Sequence, residues 1–150
     1  MEFVIPEPLK REHEKLHDEL RKATKEGGAL GDAAMALAKL MHPHFVKEDT
    51  YALPPLGLLP LVAKGSVTPD MAEVLKLTDQ LQQDLGQMLS EHRAIVVALR
   101  KLADSARREN KLEYVTFAER LIAHAETEEL VMYPTALLIG EYVRLKLGIR

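Results

Sequence analysis

The stretches HFVKEDTYALP, residues 44–54, and HAETEELVMYP, residues 124–134, each set a histidine four residues ahead of a glutamate, with a second acid directly after it and a proline closing the stretch. Matching positions lie 80 residues apart. On a helix, four residues is about one turn, so each frame offers an imidazole nitrogen and a carboxylate to the same point on one face. Two further histidines share a repeat position. His13 in EHEKLHDELRK, residues 12–22, matches His92 in EHRAIVVALRK, residues 91–101, with Leu16 on Ile95 and Leu20 on Leu99. A nitrogen and a carboxylate from each of two frames, plus two lone imidazoles, is a donor set for two cations, with Glu48 and Glu128 placed to bridge them.

Projection at about 100° per residue orients these side chains. Taking Leu9 as origin, Leu16 and Leu20 fall within about 20°, His13 at about 40° and His17 at about 80°. His13 therefore lies in the apolar stripe and His17 at its margin. His92 shares a face with Leu81, Leu85, Met88, Ile95 and Leu99; His44 shares one with Leu37, Glu48 and Tyr51; His124 lies with Phe117, Leu121, Glu128 and Val131. His42, about 160° from His44, and Asp49, about 140° away, read as solvated, as do Glu126 and Glu129. The inward set is His13, His44, Glu48, His92, His124 and Glu128. His17 is a candidate seventh ligand through the pair His13-x-x-x-His17, or otherwise a neighbour of the site. Tyr51 aligns with Val131, breaks the repeat, and brings a phenol beside the site. A single core histidine is an ordinary hydrogen-bonded residue, but six inward polar residues at duplicated positions are not. Burying them costs several kcal/mol per unpaired ion unless cations replace the lost hydration.

The elements that must position these residues are helices. Apolar residues recur at helical spacing, and Gly and Pro are scarce inside the periodic segments. The first helix is expected from about Pro8 to Glu26, stopped by Gly27 and Gly28. The second runs from Asp32 as N-cap to Leu53, with a kink or broken turn at Pro43. An apolar connection, residues 54–67, follows. Thr68 caps a third helix, with Pro69 at its first position, which extends to Arg108 and is open to interruption near Gly86. The fourth spans Lys111 to Tyr133, and TALLIGEYVRLKL is expected to form a short fifth helix after Pro134. The fold class expected is all-α: an antiparallel four-helix bundle of two similar hairpins, related by a pseudo-twofold axis.

Composition bounds the rest. The 150 residues, 47% hydrophobic, suit one domain with a sizeable core. The net charge is −3, with 20 basic and 23 acidic residues spread along the chain, so neither nucleic acid nor an anionic membrane is an expected partner. The longest apolar run, Ala52 to Ala63, is broken by three prolines and falls short of the roughly 20 residues a spanning helix needs. MEFVIPEPLKREHEK lacks the features of a signal peptide, which makes a cytoplasmic location the default expectation. The absence of Cys excludes disulfides, thiolate nucleophiles and thiolate-held zinc or iron–sulfur sites, so nitrogen and oxygen must hold any metal. Imidazole and carboxylate suit iron, zinc or manganese. The ferritin-like di-iron plan needs two Glu-x-x-His frames, and only Glu14-x-x-His17 is present.

With EH at 12–13, HFVKED at 44–49, EH at 91–92 and HAETEELVMYP at 124–134, the chain resembles the hemerythrin-like, or HHE cation-binding, family over essentially its whole length. The resemblance implies that His13, His44, His92 and His124 are terminal iron ligands and that Glu48 and Glu128 bridge the pair. The implied cofactor is two non-haem iron ions, which an oxo or hydroxo group can also bridge. Oxygen carriers of the family use five histidines, and the pair His13 and His17 offers a fifth. The six-ligand set alone resembles the iron–sulfur-repair and iron-sensing branches. The implied function is binding of dioxygen, or a similar diatomic, for sensing or storage. The alternatives are a di-iron oxidase, peroxidase or nitric-oxide-handling enzyme, or an iron-sensing module. LPPLGLLPLV would serve as a lid or as the interface of a homo-oligomer.

Overall fold

In the computed structural model, which describes residues 1–150, the only regular secondary structure is helical. Helix α1 spans Glu7–Thr24 and carries Pro8 in its first turn, where a missing N–H leaves no bond unmade. Gly27 and Gly28 follow with φ of 74° and 60°, the left-handed conformation that makes a two-glycine turn cheap. Helix α2, Gly28–Lys47, begins four residues before Asp32. Its first turn is capped from across the bundle, as Glu109 accepts the Leu30 N–H at 2.9 Å. No break occurs at Pro43: α2 is continuous through it. Both Pro43 and Lys39, whose carbonyl loses its donor, are exposed, so water can satisfy that carbonyl.

The long helix α4, Val74–Arg108, runs uninterrupted past Gly86, preceded by a 3-10 turn at Pro69–Glu73. Helix α5 is Leu112–Thr127, and α6 is Tyr133–Leu147. The tail is therefore a full helix that takes Pro134 into its own first turn. Helix α1 packs on α2 and α5, and α4 packs on the same two, which closes the four long helices into a bundle. Helix α6 lies against α4. There Gly140 meets Thr78 so closely that a Cβ would lie 2.3 Å from the Thr78 hydroxyl.

Two local departures from α geometry matter most. After α2, Glu48–Ala52 forms a π-helical turn, and after α5, Glu128–Met132 forms another. Each is closed by an i→i+5 bond, Leu53 N–H to the Glu48 carbonyl and Tyr133 N–H to the Glu128 carbonyl. Such turns insert one extra residue into a helix and are frequent at functional sites. The chain then leaves in different ways. Pro54 and Pro55 lead into a 3-10 turn, Pro54–Leu58, and the short helix α3, Leu59–Ala63, whereas the single Pro134 lets the helix resume as α6. Two adjacent prolines remove two donors and push the first away from α geometry. Gly57 is needed where this connection passes the N-terminal segment: a Cβ there would lie 2.1 Å from the Val4 carbonyl oxygen.

The core falls into two clusters. One contains Leu16, Leu20, Leu37, Leu99, Phe117 and Leu121, and the other Leu53, Leu56, Met71, Leu81, Ile139 and Val143. Each large side chain so buried stabilises the fold by about 1.5–3 kcal/mol. Along α1, α2, α4 and α5 and the turns that follow α2 and α5, His13, His44, Glu48, His92, His124 and Glu128 fall between the two clusters, as a polar layer sandwiched by apolar ones. No helix is long and apolar enough to cross a membrane.

Candidate metal centre

All six inward residues of the sequence reading are buried: His13, His44, Glu48, His92, His124 and Glu128 each expose 6% or less. Their donor atoms converge in two groups, His44, Glu48, His92 and Glu128 on one side and His13, His124 and Glu128 on the other. Glu128 belongs to both. Its Oε1 lies 3.2 Å from His92 Nε2, and its Oε2 lies 3.2 Å from His124 Nε2 and 3.4 Å from His13 Nε2. Glu48 Oε1 sits 3.6 Å from His44 Nε2 and 4.0 Å from His13 Nε2.

The imidazoles are oriented from behind. His44 Nδ1 is 2.9 Å from Glu91, His92 Nδ1 is 2.9 Å from Glu129, and His124 Nδ1 is 2.7 Å from Glu12. A carboxylate can only accept, so each Nδ1 carries the proton and each Nε2 presents a lone pair inward. Carboxylates behind metal-binding histidines fix tautomer and ring direction in this way. The pattern follows the repeat. Glu12 and Glu91 precede the two lone histidines and reach His124 and His44; Glu129 and Asp49 follow Glu128 and Glu48 and face His92 and His13. Asp49 is the loosest of the four, 3.9 Å from His13 Nδ1 and well exposed. The duplicated Glu-His and Glu-acid pairs were the available signal for these partners. Glu129, expected to be solvated, instead backs His92, because it reaches across to α4 rather than out to water.

Two observations test whether a cation fits. The Nε2 atoms of His44 and His92 face each other at 2.9 Å, and those of His13 and His124 at 3.1 Å. With Nδ1 protonated, these contacts bring lone pair against lone pair. In addition, Glu48 Oε1 and Glu128 Oε2 are fully buried with no hydrogen-bond partner. Buried acceptors without donors are costly, and metal ions are what such a set lacks. Imidazole nitrogens and carboxylate oxygens are the donors first-row transition metals accept.

The buried groups also perturb one another. Burial and the neighbouring Glu128 charge push Glu48 well above the usual carboxylate range. Burial pushes Glu128 upward too, but Glu48 and the imidazoles of His124, His13 and His92 outweigh it and hold Glu128 well below. Desolvation lowers His44. For His92 and His124 it is outweighed by Glu128 and the backing carboxylates, which raise both.

The other two site candidates sit elsewhere. His17 packs at a tilt of 35° on Phe45, ring centroids 3.8 Å apart, and is not among the converging donors. Burial and the nearby His13 lower its pKa. The Tyr51 hydroxyl donates to Asp84 at 2.7 Å and touches the Met88 sulfur, with no contact to the donor groups. The phenol that enters the site is Tyr133. It donates to Glu48 Oε2 at 2.8 Å, and its oxygen lies 3.2 Å from His92 Nε2 and 3.5 Å from His44 Nε2. Burial and the charges of Glu48 and Glu128 raise its pKa. Sequence reasoning missed it, because α periodicity turns Tyr133 about 140° away from Glu128. The π turn winds it back inward. The signal available was a tyrosine aligned with Leu53, directly before the proline that closes each frame. Beside the donors a cavity of ≈ 10 Å³, with Phe45, Ile95 and Leu121 in its wall, has room for about one water-sized molecule.

Compared with known families, residues 4–136 match the model described as Hemerythrin HHE cation binding domain. No curated protein and no solved structure matches the chain.

Proposed function

The chain belongs to the hemerythrin HHE cation-binding domain family, and on that premise we propose that it is a single-domain, non-haem di-iron protein that binds dioxygen for sensing or storage. His44 and His92 would hold one iron and His13 and His124 the other, with Glu48 and Glu128 available to link them. The observation that carries this reading is the pair of buried, unpartnered carboxylate oxygens facing two sets of inward-directed imidazole nitrogens. We read the bundle as two antiparallel hairpins related by a pseudo-twofold axis, supported by the packing of α1 on α2 and α4 on α5 and by the duplicated π turns.

Ferrous iron supplies the electrons for dioxygen binding. The chain's own residues do the rest. Glu12, Glu91 and Glu129 hold protons on the Nδ1 atoms and so keep the Nε2 lone pairs directed inward. Phe45, Ile95 and Leu121 give the small cavity among the donors an apolar wall, which supports a small uncharged ligand over a hydrated anion. The side chain of His17, on Phe45, supports the wall of this region rather than joining the donors.

The test is anaerobic reconstitution with ferrous iron, a metal count per chain, and a visible spectrum recorded as oxygen is admitted and then removed. A charge-transfer band that appears and reverses supports the reading. Irreversible oxidation assigns the centre to turnover as an oxidase or peroxidase, and failure to bind iron overturns the metal assignment.

A further inference from the structure

We propose that the oxygen of Tyr133 is a protein ligand to the ion held by His44 and His92, so that the position for an external ligand lies on the His13–His124 side. The inference rests on the di-iron reading above and specifies how the two halves differ. Its basis is spacing. First-row ions hold nitrogen and oxygen donors at about 2.0–2.2 Å, which puts neighbouring donors of an octahedral ion about 3 Å apart. On this side, His44 Nε2 to His92 Nε2 is 2.9 Å and His92 Nε2 to Glu128 Oε1 is 3.2 Å. The Tyr133 oxygen lies 2.8 Å from Glu48 Oε2, 3.2 Å from His92 Nε2 and 3.5 Å from His44 Nε2, which continues the same polyhedron.

Hydrogen bonding to Glu48 alone does not account for this placement. A phenol has one proton, and Glu48 takes it. The remaining oxygen lone pairs then face two imidazole nitrogens that are themselves acceptors, because Glu91 and Glu129 hold the protons on their Nδ1 atoms. A cation at the centre of these donors resolves the conflict, and the phenolic proton is displaced as it is from any protonated ligand on metal binding. Nothing equivalent exists on the other side. The residue at the matching repeat position is Leu53, fully buried in the second apolar cluster.

The experiment is resonance Raman spectroscopy of the iron-loaded, oxidised full-length protein, excited within its visible absorption. The expected result is a set of phenolate ring modes that shift when the protein is grown with ring-deuterated tyrosine. These modes and their absorption band are lost in Tyr133→Phe at unchanged iron content, and kept in Tyr51→Phe. Should Tyr133→Phe fail to fold, the combined variant Tyr51→Phe, Tyr114→Phe, Tyr142→Phe leaves Tyr133 as the sole tyrosine, and retention of the modes assigns them to it. Iron-loaded wild-type protein without phenolate modes, or Tyr133→Phe that keeps them, overturns the inference while leaving the di-iron reading intact. Wild-type protein that binds no iron overturns both.

Discussion

On one side of the centre His44 and His92 meet Glu48, Glu128 and the hydroxyl of Tyr133; on the other, His13 and His124 meet Glu128, and Leu53 stands where Tyr133 would be. The donors of the two halves come from one repeated plan, down to the π turn that begins at each glutamate. Their surroundings do not. Behind the first half, Glu91 holds His44 and is itself tied to Lys47 at 2.6 Å, while Glu129 holds His92. Behind the second, Glu12 is about half exposed and Asp49 stands beyond hydrogen-bond range of His13. A duplicated ligand frame thus yields one closed, firmly oriented half and one looser, more open half. The asymmetry lies in Tyr133 standing opposite Leu53 and in how firmly the backing carboxylates are held.

This comparison is most directly broken through the glutamates. Glu128→Gln touches both donor groups and is expected to empty both positions, whereas Glu48→Gln is expected to weaken the Tyr133 side more than the other, because Glu48 converges with His44 and His92 and lies farther from His13. Metal per chain after desalting reads the difference, and equal losses would sink the distinction between the halves. Next in size are the residues behind the imidazoles. Glu91→Gln is expected to weaken metal binding by about 10–100-fold. Asp49→Asn, which removes no hydrogen bond, should leave it within about 2-fold; competition with a chromophoric chelator measures both, and a large effect of Asp49→Asn would show that the second half is as tightly oriented as the first.

A smaller effect is expected at His17. Because its ring packs on Phe45 outside the donor groups, His17→Ala should keep the iron content and alter the spectrum only slightly. Loss of one metal would instead make it a ligand and move the open half toward saturation. The smallest effect lies at the far end of the bundle, where Glu26 accepts hydrogen bonds from Lys111 and from Tyr114, the latter at 2.6 Å. Those bonds, Lys111 first, lower the Glu26 pKa below its usual 4.5. A depressed folded-state pKa contributes stability that is present above the unfolded value and lost as pH falls through the folded one. Glu26→Gln should therefore flatten the acid limb of a melting-temperature profile below about pH 4.5 without changing metal content. An unchanged acid limb would assign the acid sensitivity to other carboxylates whose pKa is held low in the fold, Glu128 among them.

The helices of the bundle, their order and the inward direction of His13, His44, Glu48, His92, His124 and Glu128 could be read from spacing, because a periodicity of 3.6 residues fixes which side chains share a face. The duplicated Glu12-His13 and Glu91-His92 pairs and the acids after Glu48 and Glu128 were equally visible. Their roles were not. Which carboxylate backs which imidazole depends on contacts between helices that are far apart in sequence, such as Glu12 on α1 and His124 on α5. The expected start of α2 at Asp32 failed for a related reason, since Glu109 caps the helix earlier from across the bundle, and the expected break at Pro43 failed because the freed Lys39 carbonyl is open to water.

Sequence by itself determined the kind of chemistry: nitrogen and oxygen donors, no thiolate, two matching frames, and a family whose domain binds cations. Only the tertiary structure decided that the two halves are unequal. Tyr51, which breaks the repeat visibly, turns to Asp84, and Tyr133, which α periodicity sends outward, comes in to Glu48. The physical reason is the π turn. One extra residue in the helix rotates everything after it by about 100°, and nothing in a 3.6-residue count announces where that residue is inserted.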